Sequence, residues 1–65
     1  MRDIIEINDM KIYINSRSVE SGGYETLIFV PAERPMVKHF DTQEEMIAYH
    51  NAIVKTLKGE KINED

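Results

Sequence analysis

Asp41-Thr42-Gln43-Glu44-Glu45-Met46-Ile47-Ala48-Tyr49-His50-Asn51-Ala52-Ile53-Val54-Lys55-Thr56-Leu57-Lys58-Gly59 is the stretch whose reading decides the fold. With residues about 100° apart on a helical wheel, Met46, Ile53 and Leu57 fall on one side of a midline and Ile47 and Val54 on the other. Tyr49 lies at the edge of that arc, and Glu44, Ala48, Asn51 and Lys55 lie opposite. Asp41 or Thr42 supplies the N-cap: Thr42-x-x-Glu45 and Asp41-x-x-Glu44 both fit a capping box, and the acidic first turn suits the helix dipole. Lys55 and Lys58 fall in the last turn, and Gly59 is the expected C′ residue. One amphipathic helix needs a surface to cover. Its stripe is not wholly apolar, because His50 sits at the centre.

The surface comes from upstream. Tyr24-Glu25-Thr26-Leu27-Ile28-Phe29-Val30 is aromatic and β-branched, stops at Pro31, and reads as a strand preceded by a turn at Glu20-Ser21-Gly22-Gly23. The earlier apolar residues become regular once a two-residue hairpin loop is placed at Asn8-Asp9, both of which tolerate φ > 0. That loop pairs Ile7 with Met10, Glu6 with Lys11, Ile5 with Ile12 and Ile4 with Tyr13. It gathers Ile5, Ile7, Met10, Ile12 and Ile14 on one face, A, and sets opposite charges across from each other at Glu6 and Lys11. Pro31-Ala32-Glu33-Arg34-Pro35 is a loop. Met36-Val37-Lys38-His39-Phe40 reads as a short edge strand, where Lys38 discourages pairing with other chains.

The fold class that follows is α+β: an antiparallel meander of three strands, or four with Met36–Phe40, and one C-terminal helix packed on face A. Residues 1–59 make a single domain and 60–65 a frayed tail. Sixty-five residues lie near the lower limit for folding unaided, and there is no cysteine to supply a disulfide, a zinc thiolate or a thiol nucleophile. Self-association is one of the remedies open to such a chain. No apolar run approaches the roughly 18 residues of a membrane span, and the charged start Met1-Arg2-Asp3 lacks a signal-peptide core. The expectation is a soluble, cytoplasmic protein without membrane partners. A net charge of −4 with mixed signs argues against a nucleic-acid partner as well.

Motifs for chemistry are missing. The glycines Gly22, Gly23 and Gly59 have no phosphate-cradling spacing, and neither GxSxG nor HExxH occurs. Ser16, Ser18 and Ser21 have no histidine near them in sequence. His39 and His50, eleven residues apart, make a poor metal pair even with Asp41 or Glu45 added. The reading is therefore no enzyme, no cofactor and no metal site. For His50 the expectation is a buried imidazole whose N–H bonds to a backbone carbonyl of the sheet or of the 31–35 loop. The alternative role is a pH switch or an interface contact.

An apolar face A requires Leu27 and Phe29 to pair with Ile12 and Ile14. Face B then carries Ile4, Tyr13, Val19, Tyr24, Thr26, Ile28 and Val30, interrupted by Asn15 and Arg17. A solvated sheet face alternates with polar residues more than this one does, and one helix covers one face. The expected interface is accordingly Tyr13, Val19, Tyr24, Thr26, Ile28 and Val30, meeting another protein surface, most simply a second copy in a homodimer. The bland alternative is propensity alone, with a loop or the tail covering these side chains.

The strand Tyr24-Glu25-Thr26-Leu27-Ile28-Phe29 followed by Asp41-Thr42-Gln43-Glu44-Glu45-Met46-Ile47-Ala48-Tyr49-His50 resembles small uncharacterised proteins of bacteriophages and prophages. Their pattern is YET-aliphatic-aliphatic-F, a loop, then T-x-E-E-A-x-x-x-H opening a terminal helix, and it spans about the second half of the chain. Met46 stands where that pattern has alanine. The resemblance implies a setting, the host cytoplasm, and a role as a phage-encoded inhibitor that binds a host protein, defence enzymes included. The alternative is a self-assembling structural or virion-associated subunit.

Overall fold

The Asn8-Asp9 loop sets the first register. In the computed structural model, which describes residues 1–59, both loop residues have left-handed backbone, with φ of 50° and 68°. This is the geometry a two-residue hairpin loop demands. It joins β1 (Arg2–Ile7) to β2 (Met10–Ser18) in the expected register, Ile7 with Met10, Glu6 with Lys11, Ile5 with Ile12 and Ile4 with Tyr13. Backbone bonds between Met1 and Ser16 extend this ladder at its far end.

β3 (Tyr24–Phe29) and β4 (Met36–Phe40) complete a four-stranded antiparallel sheet of order β1-β2-β3-β4. The Met36–Phe40 edge strand is thus present, opposite Ile28 through Tyr24. Between β3 and β4 the Glu33 N–H bonds to the Val30 carbonyl at 3.1 Å. Pro31 leads that turn, and Ala32 takes φ 66°, a position that ordinarily calls for glycine or asparagine.

The register of β2 on β3 differs from the expected one by a single residue. Ile14 pairs with Ile28, Ser16 with Thr26 and Ser18 with Tyr24, while Tyr13 faces Phe29 and Asn15 faces Leu27. A slip of one exchanges the two faces of a strand. The cause lies in the turn: Gly22 N–H bonds to the Val19 carbonyl and Val19 N–H to the Gly23 carbonyl, leaving three residues, Glu20 to Gly22, in the loop. Both glycines have positive φ, and a Cβ on Gly23 would come within 3.0 Å of the Phe40 carbonyl oxygen. The turn and the polar pairs it aligns outweigh a uniformly apolar face.

Helix α1 (Gln43–Leu57) lies across face A. Of the two candidate N-caps it uses Thr42, whose Oγ1 accepts the Glu45 N–H at 3.2 Å while the Glu45 carboxylate accepts the Thr42 N–H at 3.3 Å. Lys58 is the C-cap, and Gly59 follows with φ 80°. The core comprises Ile5, Ile12, Ile14 and Ile28 from the sheet, with Ile53, Val54 and Leu57 from the helix packed on them, and Met46 buried as well. Phe40 and Tyr49 close one margin with ring centroids 5.2 Å apart. Among the described residues no helix is long and apolar enough to cross a membrane. The tail expected over 60–65 lies outside the described residues.

Candidate functional site

Two features stand out from this scaffold: a chain of hydrogen bonds under the helix and the uncovered face of the sheet. The register that pairs Ser16 with Thr26 aims both hydroxyls at the centre of α1, where His50 enters. Ser16 Oγ lies 2.6 Å from Thr26 Oγ1 and 2.6 Å from His50 Nδ1. His50 Nε2 lies 2.8 Å from Asp3 Oδ2. A consistent direction runs from the Thr26 hydroxyl to Ser16 Oγ, from the Ser16 hydroxyl to Nδ1, and from Nε2–H to the Asp3 carboxylate. One helix is thereby tied to three strands. His50 does not bond to a backbone carbonyl as the sequence suggested; side chains spread from position 3 to position 26 hold it instead.

Serine, histidine and aspartate in contact are the residue set of a nucleophilic triad. Ser16 and His50 are 2 % and 0 % exposed, so Ser16 Oγ is sealed between sheet and helix. Two surface hollows lie elsewhere, one bounded by Val30, Ala32, Glu33, Arg34 and Met36, the other by Arg17, Ser18, Val19, Glu20 and Glu25. Every buried side-chain nitrogen and oxygen among the described residues has a partner. The chain satisfies polar groups that would each cost on the order of 1–3 kcal/mol if buried alone. Among the described residues, no three histidine, aspartate or glutamate side chains are grouped to hold a metal ion.

The slipped register corrects the expected interface. Tyr13 is on the open face and 43 % exposed. Thr26 and Ile28 are buried against the helix side, Tyr24 and Val30 share that side and are half-buried, and Val19 sits half-buried in the β2–β3 turn. Leu27 and Phe29 take their place outside. The open face thus carries an apolar belt that runs diagonally over the four strands: Ile4, Tyr13 and Phe29 in one row, Leu27 and Val37 in the next, where Arg2 and Asn15 hold the β1 and β2 positions. Except for half-buried Leu27, these side chains are exposed.

Polar rows bound the belt. At one end Glu6 faces Lys11; at the other Arg17, Glu25 and His39 stand side by side. Arg17 Nε donates to Glu25 Oε2 at 2.7 Å, and His39 Nδ1 lies 4.0 Å from Glu25 Oε1. Flanked in this way, the Glu25 side chain is only 11 % exposed, whereas Arg17 keeps 59 %. Arg2, Lys11 and Arg17 against Glu6 and Glu25 give this face +1 of a chain total of −4, so everything else carries −5. The Arg17–Glu25 match was visible in the sequence as opposite charges eight apart around a Gly-Gly turn, and would have selected the correct register. Searches against protein-family models, curated proteins and solved structures find nothing that matches this chain.

Proposed function

We propose that this chain is a non-enzymatic protein-binding module whose contact surface is the open face of its sheet. The observation that carries the reading is the apolar belt of Ile4, Tyr13, Leu27, Phe29 and Val37 lying uncovered between two polar rows. An apolar centre, an aromatic pair and a charged rim are the anatomy of protein interfaces. Binding rather than catalysis is favoured because, among the described residues, the hydroxyl bonded to an imidazole, that of Ser16, is sealed and already engaged.

The resemblance to small phage and prophage proteins supports a setting in the host cytoplasm and a role as inhibitor of a host protein. The same surface serves the second reading, a self-assembling or virion-associated subunit. That reading is supported by the internally balanced charges of the open face.

Affinity capture from a bacterial lysate tests the module with three baits: wild type, Phe29→Lys on the open face and Ala48→Lys on the exposed side of the helix. A host protein held by wild type and Ala48→Lys but lost with Phe29→Lys supports the inhibitor. Capture of further copies of the chain alone, with the same dependence on Phe29, supports the subunit. Capture lost only with Ala48→Lys overturns the assignment of the surface.

A further inference from the structure

We propose that the occupant of the open face is a second copy of this chain, packed sheet on sheet about a two-fold axis that runs along the strands between β2 and β3. The inference rests on the reading that the open face is the contact surface. A two-fold axis in that direction lays β2 of one chain over β3 of the other, and the rows of the face keep their order. Tyr13 and Phe29, which are direct neighbours across β2 and β3, then each meet the other residue of the second chain. Arg17 and Glu25, neighbours two rows further along the same face, do the same. Every contact occurs twice, which is the self-complementarity that an isologous interface requires.

Charge and size agree with this occupant. Copies of a chain with net charge −4 repel one another through most orientations, and the open face is the side on which the charges balance to +1. Arg17 spends its Nε on Glu25 of its own chain and remains 59 % exposed, so its terminal nitrogens are free to meet a second carboxylate. The molecule is a slab of 36 × 34 × 16 Å, one helix and one sheet thick. Its broad side accommodates the roughly 800 Å² per partner of a standard interface. Two such sheets about 10 Å apart would make a four-layer helix–sheet–sheet–helix assembly with the apolar belts inside.

Sedimentation equilibrium across the micromolar range tests this with exchanged charges. Arg17→Glu alone and Glu25→Arg alone should each weaken the dimer about tenfold or more, because like charges then face each other twice. Mixing the two variant chains should restore association as a heterodimer, since each chain supplies the charge the other lacks. Glu25 is largely buried, so circular dichroism must first confirm that its variant folds. If it does not, Tyr13→Lys mixed with Phe29→Glu asks the same question at two exposed positions. A wild type that stays monomeric, or a mixture no tighter than its separate parts, overturns the second copy as occupant and leaves capture of a different protein to stand on its own test. A wild-type dimer indifferent to Phe29→Lys overturns the open face itself.

Discussion

His50 Nδ1 and Ser16 Oγ are 2.6 Å apart, 34 residues apart in sequence, and neither side chain reaches solvent. This contact decides which face of β3 turns inward. With Ser16 fixed beneath the helix, the opposite residue on β3 must be one that can share the hydrogen bond, and Thr26 can. Either neighbour of Thr26, Glu25 or Leu27, would bring a carboxylate or an aliphatic chain to the same place. The buried polar chain therefore acts with the three-residue turn to hold the register, and with it the composition of the open face.

Removing one member of the chain should be costly. Ser16→Ala leaves the Thr26 hydroxyl and His50 Nδ1 without their partner and should destabilise by about 2–3 kcal/mol. His50→Leu leaves the Ser16 hydroxyl able to turn only to Thr26, at a similar cost. The double variant should be less unstable than the sum, with a coupling of about 1 kcal/mol or more. Urea unfolding of the four chains measures it; strict additivity would mean that the two side chains do not act together.

Asp3 is the exposed end of the chain, with 43 % of its side chain in solvent. Asp3→Asn keeps an oxygen that can accept from His50 Nε2–H and should cost less than about 1 kcal/mol, whereas Asp3→Leu should cost more. Equal losses for the two would remove the hydrogen bond from the account.

The turns offer a pair of opposite outcomes. Gly23→Ala forces a Cβ to 3.0 Å from the Phe40 carbonyl oxygen at a residue with φ 83°. It should destabilise by about 1–3 kcal/mol. Ala32→Asn places a residue tolerant of left-handed backbone at φ 66° and should stabilise by a few tenths to about 1 kcal/mol. Thermal melts of the two variants should shift in opposite directions.

Helix capping separates the two N-cap candidates. Thr42→Ala removes the acceptor for Glu45 N–H and should cost about 1 kcal/mol. Asp41→Ala should cost clearly less. A larger effect at Asp41 would move the cap by one residue.

Much of this architecture was legible in the residues. The Asn8-Asp9 loop, the capping signals around Thr42 and the wheel of α1 are local features, and local sequence contains them. The edge strand Met36–Phe40, which the residues left optional, is present. The β2–β3 register was not legible in the same way, because beside the turn it involves contacts between Asp3, Ser16, Thr26 and His50, which no local pattern connects. A wholly apolar face A leaves no partner for His50, the polar residue that enters it from the helix. A histidine at the centre of a helix stripe demands polar partners on the sheet beneath, and Ser16 opposite Thr26 was the pairing that supplied them. Once that pairing is made, Thr26 and Ile28 leave the proposed interface and Leu27 and Phe29 enter it.

Thiol labelling of single cysteines tests the central claim most directly, because the natural chain has none to interfere. At low concentration, a cysteine placed by Phe29→Cys should react close to the rate of a free thiol. One placed by Ile28→Cys should react on the order of a hundredfold more slowly, since exposing it requires the sheet and helix to open. The opposite order, with position 28 fast and position 29 protected, would restore the other register, put Thr26 and Ile28 outside, and contradict both the buried chain and the open face described here.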